Sequence, residues 1–522
     1  MAQQNSEDRV VPDGGATPAQ PDGVSTAGQG KAIPVDQAAS QLRLPIATAE
    51  APQGGSRNRF PDHSGGRADG GVPKAVVNEQ TCVPATMDEV VERFGSALSK
   101  VVSNKGAPGP DGMTVEALGA QWPSIAPKLR ADLLAGRWRP GEIRRAHIPK
   151  AGGGKRGLGI PNVADRVVME AVRAVLEPRF EPTFHPSSHG FRPGRSCHTA
   201  VAEAAQHMQE GHEWVVDVDL EKFFDRVNHQ RLMARLAQRV GDRRLLVLIG
   251  RLLRAKVVLP DGVVIGVDEG VPQGSPLSPL LSNIVLDELD RELARRGHRF
   301  VRYADDCNVY VRSERAGMRV MASLERFVEG RLRLKINRDK SAVARPEDRH
   351  FLGFRLRRDP QSGAVEARLS ERTVRSAMAR IRELTPRQWG GSLDSCISRV
   401  NAWLRGWYEF FGIVAAGEEY VLRALDAHIR RRLRAIVLKH WRRPRTIVHS
   451  LIALGVSRRS AMASVYGGHK SAWALSHSYA VDKAMPVAFF TERALLRLVV
   501  LHRRSRKDVI APVRPQLTLG WG

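Results

Sequence analysis

Two stretches of this 522-residue chain place carboxylates inside strand-forming runs. In RYADDCNVYV (302–311), Asp305 and Asp306 stand side by side between apolar residues (Phe300, Val301 and Tyr303 before; Val309, Tyr310 and Val311 after), so both acids fall at the turn of an expected hairpin. Taken alone, paired aspartates at a turn are ordinary. A second run, EWVVDVDLEKFFDRVNH (213–229), sets Trp214, Val216, Val218 and Leu220 on one face of a strand and Asp217 and Asp219 on the other. If Asp219 meets Asp305 and Asp306 in space, their repulsion in a partly desolvated site calls for cations, and hard oxygen ligands suit Mg²⁺. Two such ions about 4 Å apart are the usual apparatus of in-line phosphoryl displacement, one activating the attacking hydroxyl and the other steadying the leaving pyrophosphate. The chemistry implied is nucleotidyl transfer.

The elements that must position these acids can be read along the chain. Residues 1–80 are rich in Gly, Pro, Ala, Gln and Ser without periodicity, and are expected to form a disordered tail. Helical and strand-like patterns then alternate to about Val365, the expected domain boundary, beyond which the pattern is helical and basic. In VNAWLRGWYEFFGIV, Val400, Trp403, Leu404, Trp407, Phe411 and Val414 share one helical face, as core residues do. The next helix keeps Leu422, Leu425, Ile429, Leu433 and Ile436 on one side and turns Arg430, Arg431, Arg434 and Lys439 outward, with Asp426 the only acid among them. That cationic face suits a sugar–phosphate backbone.

Composition agrees. Against 81 Lys and Arg stand 55 Asp and Glu, a formal charge of +26 that favours a polyanionic partner. There is no run of eighteen apolar residues and no leader-like start, so no membrane role is expected. The four cysteines form no Cys-x-x-Cys pair, which argues against a disulfide framework or a structural zinc. The expected location is the bacterial cytoplasm, beside the nucleoid.

Tyr303-Ala304-Asp305-Asp306 resembles the signature of reverse transcriptases, and DLEKFFD (219–225) resembles their first catalytic strand. NKGAPGPDGMT (104–114), KRGLGIPNVADRVV (155–168), SSHGFRPGRSCHTA (187–200), GVPQGSPLSPLLSNIVLDELD (270–290), LKINRDKS (334–341) and FLGF (351–354) are similar, in order, to successive blocks of group II intron-encoded reverse transcriptases. WLRGWYEFF (403–411) is similar to that family's thumb, or maturase, region. The resemblance implies an α+β right-hand polymerase: fingers and palm (81–365) with an antiparallel sheet and helices, an α-helical thumb/maturase domain (366–450), and a basic C-terminal region (451–522). It also implies that the family's optional zinc-containing endonuclease domain is missing.

By the same resemblance, Asp219 and Asp305 are shared ligands of two Mg²⁺ ions, with Asp306 a weaker ligand. Asp217 matches no catalytic position. Phe224 stands where an aromatic ring excludes the ribose 2′-hydroxyl, Lys150 and Arg156 flank the glycine run that closes over the triphosphate, with Lys155 as a substitute, and Gln273 and Gly274 touch the nucleotide and templating pair. Lys340 matches a lysine that could protonate pyrophosphate, and Phe351, Leu352 and Gly353 match the primer grip. The implied partners are group II intron RNA, a DNA target or primer, and dNTPs. The alternatives are an RNA-binding splicing cofactor with a vestigial polymerase, and a reverse transcriptase recruited to phage defence.

Overall fold

The computed structural model describes residues 84–149, 154–468 and 471–510, with side chains to residue 505. The expected tail at 1–80 lies outside these residues, as does Lys150. The described strands are, in chain order, β1 (Ile143–Pro149), β2 (Lys155–Ile160), β3 (Trp214–Val218), β4 (Val257–Val258), β5 (Val264–Ile265), β6 (Arg299–Tyr303), β7 (Asp306–Val311), β8 (Ala342–Ala344), β9 (Phe354–Arg358) and β10 (Val365–Leu369). The helices that bear on the site are α1 (Val163–Phe180), α2 (Cys197–Gln209), α3 (Ser278–Arg295), α4 (Glu314–Phe327), α5 (Glu371–Leu384), α6 (Leu393–Phe411), α7 (Glu419–Trp441), α8 (Tyr479–Ala484) and α9 (Leu498–Ile510).

The acids belong to a four-stranded sheet of order β6-β7-β3-β8, antiparallel at every pairing. The alternation read in 213–229 is realised in β3: Val216 and Val218, continued by Leu220, enter one apolar core, while Val215 points into another. Helix α4 covers the first face so closely that a Cβ on Gly317 would stand 2.4 Å from Val343 Cγ1, which explains a glycine inside that helix. Helix α2 covers the other face, packing Ala200, Val201, Ala204 and Met208 with Val301 and Tyr310.

A second, mixed sheet has the order β2-β1-β4-β5. The glycine-rich loop at 104–112 folds over Asn162 and Arg166, just before α1 and at its start. Arg166 Nη2 bonds both Ala107 O and Pro161 O, the latter at 2.7 Å, and a Cβ on Gly109 would collide with Asn162 at 2.4 Å. Close backbone approach is what that glycine serves.

The β9–β10 hairpin straddles the compositional switch at Val365, and its Phe354, Leu356 and Leu369 join one core with Ala377, Ile381, Val400, Leu404 and the apolar side of α7. The helical stripes pack as their spacing predicts: Val400, Leu404, Leu422, Leu425, Ile429, Leu433 and Ile436 are all buried. The cationic side of α7 departs from expectation at one residue. Arg434 is only 9% exposed, pairs with Asp482 of α8, and donates Nε and Nη2 to Met485 O at 3.0 and 2.8 Å. It faces inward because α8 and the turn after it lie across that side of α7 and supply a carboxylate and a carbonyl. Arg430 and Arg431 are half-exposed and Lys439 is exposed.

Candidate active site

Asp219 follows β3 directly, and its backbone is clamped by the LKINRDKS segment: Asn337 N donates to Asp219 O at 2.8 Å and Asp219 N to Ser341 Oγ at 2.9 Å. The same clamp brings Lys340 Nζ to 3.1 Å from Asp219 Oδ2. That oxygen is shielded from solvent and accepts no hydrogen bond. In the neighbouring hairpin the turn is formed by Ala304 and Asp305, while Asp306 already opens β7, paired with Tyr303. The turn is therefore one residue earlier than the Asp305–Asp306 pair, because Ala304 takes the left-handed conformation, φ +57°.

Arg302, to which the sequence reading gave no role, holds this turn. It is fully buried; its Nε and Nη2 fork onto Asp290 at 2.7 and 2.5 Å, Nη2 reaches Ser188 Oγ at 2.7 Å, and Nη1 donates to Asn283 Oδ1 at 3.0 Å and to Ala304 O at 2.8 Å. The SSHG segment lies against the same turn, with His189 N bonded to Arg302 O at 2.8 Å, and a Cβ on Gly190 would stand 2.2 Å from Ala304 N. A signal was present: Asn283, Asp287 and Asp290 recur at helical spacing on the apolar face of α3, and polar groups there need a partner.

The charges act on one another. Burial lifts the Asp305 carboxyl above the ordinary aspartate range and the charge of Asp219 adds to this, opposed by a backbone N–H, Arg156 and Arg302. The enclosing protein, then the charges of Asp305, Asp217 and Asp219, push Asp306 up to about 7, although solvent reaches its side chain. Asp219, Asp305, Asp306, Arg156 and Lys340 thus share one electrostatic neighbourhood. Asp217 has a different occupation: Arg349 donates Nε and Nη2 to its Oδ2 at 2.9 and 2.6 Å.

The remaining candidates frame that neighbourhood. The turn bearing Gln273 and Gly274 is pressed onto β2. Gly159 N donates to Gln273 O at 2.6 Å, and a Cβ on Gly274, φ +106°, would stand 2.7 Å from Gly159 O. Three residues along β2, Arg156 is exposed. Phe223 is buried at 2% exposure, whereas Phe224, edge-on to it, is half-exposed, so the ring free to meet a ligand is Phe224. Its carbonyl accepts from Val271 N at 2.7 Å, tying it to the segment that leads into Gln273. Phe351 is buried; Leu352 (φ +52°) and Gly353 (φ +92°) form a tight turn whose carbonyl at Gly353 accepts from Ser370 N and Thr373 Oγ1 of the thumb.

The donor set fits a hard divalent cation, with three carboxylates in one neighbourhood and an Asp219 oxygen whose neighbour is the Lys340 ammonium. Among the described residues no three Asp, Glu, His or Cys side chains are gathered tightly enough to hold a metal as they stand.

Comparison with known proteins agrees with this geometry. Residues 148–356 match the family described as reverse transcriptase (RNA-dependent DNA polymerase), and residues 374–451 match the group II intron maturase-specific domain. Protein YkfC of Escherichia coli is 34% identical over 306 residues, covering 51% of this chain and 80% of that protein. The chain belongs to the group II intron-encoded reverse transcriptases. The group II intron-encoded protein LtrA of Lactococcus lactis is 29% identical over 343 residues, 52% of this chain and 57% of LtrA. A putative COX1/OXI3 intron 2 protein of Saccharomyces cerevisiae is 36% identical over 202 residues, 38% of this chain and 23% of that protein. This reverse transcriptase combines an RNA-directed DNA polymerase domain with a maturase domain. No helix among its described residues is long and apolar enough to cross a membrane.

Proposed function

We propose that this reverse transcriptase copies its group II intron RNA into DNA at the Asp219–Asp305–Asp306 cleft and holds that RNA through its helical half to assist splicing and mobility. The observation that carries the reading is the meeting of two acidic segments and two cationic ones, far apart in sequence, in one electrostatic neighbourhood. Asp219 and Asp305, with Asp306 as a weaker ligand, would hold two Mg²⁺ ions, which supply activation of the primer 3′-hydroxyl and neutralisation of the pyrophosphate. Arg156 grips the incoming triphosphate by charge-assisted hydrogen bonds, helped by Lys150 and Lys155. Phe224 crowds the ribose 2′ position and so favours dNTPs. Gln273 and Gly274 lie along the nucleotide and its templating partner. Lys340 hands a proton to departing pyrophosphate. The Leu352–Gly353 turn, seated on buried Phe351, carries the primer end.

Fingers and palm span 81–365, the thumb/maturase 366–450, and a further basic region 451–522. Arg430, Arg431 and Lys439 meet the phosphates of the intron RNA, while Arg434 serves that surface from beneath by fixing α8 to α7. A DNA target or primer completes the substrate set, and the protein works in the bacterial cytoplasm beside the nucleoid. The test is primer extension on an RNA template with Mg²⁺ and dNTPs. Asp305→Ala should lower the rate by at least about three orders of magnitude. Extension by the variant at the parent's rate would remove the proposal.

A further inference from the structure

A cavity of about 540 Å³ opens between α7 and the segment that follows α8. Its floor is apolar, from Ala427, Pro486 and Val487, and its rim carries His428, Arg430 and Arg431. The cavity also contains one acid, Asp482, which is engaged by Arg434 and by His477 Nδ1 at 3.4 Å. The guanidinium of Arg431 stacks on Trp473, 4.0 Å from the ring centroid, which fixes its plane. Arg431 also donates Nη2 to Trp473 O at 3.4 Å, so ring and carbonyl together hold its guanidinium on the cavity wall. Burial lowers His428, Arg430 and Arg434 from their ordinary values; neighbouring arginines lower them further, opposed by Asp426 and Asp482 at Arg430 and by Asp482 at Arg434, so an added negative charge favours the charged form of each.

We infer that this cavity receives one unstacked nucleotide of the bound RNA, its phosphate against His428, Arg430 and Arg431 and its base on the floor of Ala427, Pro486 and Val487. The volume lies within the range of about 300–1,000 Å³ usual for small-molecule sites. Free phosphate alone would leave the apolar floor unused. The inference rests on the RNA-binding reading above and adds the form of the RNA: a loop, bulge or strand end, because a base paired in a duplex is stacked and cannot enter.

The test titrates the full chain against two fluorescein-labelled RNAs, a hairpin with a single-stranded loop and a blunt duplex of equal length, and reads anisotropy. Ala427→Trp fills the floor without altering charge. It should weaken loop binding roughly tenfold or more and duplex binding little. Arg430→Gln, which removes the charge but keeps a polar end, should weaken loop binding and lower its salt slope by about 0.7. Melting curves certify that each variant is folded, and where the bulkier substitution disturbs folding, Arg430→Gln decides. Loop binding equal to the parent's, or equal weakening on loop and duplex, overturns the inference. A parent that holds neither RNA removes the RNA-binding reading itself, and the cavity assignment with it.

Discussion

A guanidinium with no exposure to solvent stands three residues before Asp305, forked onto an equally buried Asp290. Replacing one partner of such a pair leaves the other charge uncompensated and destabilises by about 3–5 kcal/mol, whereas replacing both with apolar residues of similar size is often neutral. Arg302→Met should therefore lower the melting temperature sharply, and Arg302→Met with Asp290→Leu should recover most of it. Primer extension by the double variant should stay low, because Ala304 O has lost its donor and the acidic turn its anchor. Recovery of extension along with stability would show that Arg302 only supports the core. Phe224 offers a separate residue-scale test: Phe224→Ala should reduce discrimination against ribonucleotides by roughly tenfold to a hundredfold, measured as the ratio of kcat/KM for dNTP and rNTP. Unchanged discrimination would free that ring of its assigned role. The acids themselves were legible, since period-two alternation in 213–229 set Asp219 on a strand and the apolar flanks of 305–306 set the other two at a hairpin turn. Arg302 was legible only from the other side: Asn283, Asp287 and Asp290 on the apolar face of α3 call for a partner, but a lone arginine in a strand does not say that it is the one.

Among the elements, α1 shows how the fingers wall is fastened to the palm. Its first turn carries Asp165, 6% exposed, which accepts from Gly141 N at 2.9 Å beside β1. Burial pushes this carboxyl up to about 6 from 3.8. A raised carboxyl binds its proton more tightly folded than unfolded, so its contribution to stability is present below 3.8 and is lost as pH rises through about 6. The shift corresponds to about 3 kcal/mol. Asp165→Asn should flatten this part of the stability profile, compared with the parent by denaturant unfolding across that window. Parallel profiles for the two proteins would show that Asp165 does not titrate there. The helical half teaches the complementary lesson about reading elements. The apolar stripes of α6 and α7 were legible because they repeat at helical spacing, but the polar side of α7 was not, since a helix's own pattern cannot reveal that α8 will cross it and bury Arg434 against Asp482.

At the scale of the whole molecule, the cleft is a property of chain tracing. Asp219 leaves β3, Asp305 sits in the β6–β7 turn and Asp306 opens β7, Arg156 comes from the fingers wall, and Lys340 is carried in by a segment bonded to Asp219 through Asn337 and Ser341. Helical and strand periods mark such elements but not their convergence, which the ordered resemblance alone pointed to. The compositional switch at Val365 was visible for the same reason it is incomplete: composition changes there, yet β10 pairs back to β9 and shares the helical core. The most direct measurement of the central claim is Mn²⁺ binding, followed by electron paramagnetic resonance, in the protein bound to an RNA template, a chain-terminated DNA primer and the next dNTP. The parent should immobilise Mn²⁺ in excess of the ion carried by the free nucleotide complex, and Asp219→Asn combined with Asp305→Asn should lose that excess while still binding the template and primer. Equal Mn²⁺ occupancy in parent and double variant would contradict the account.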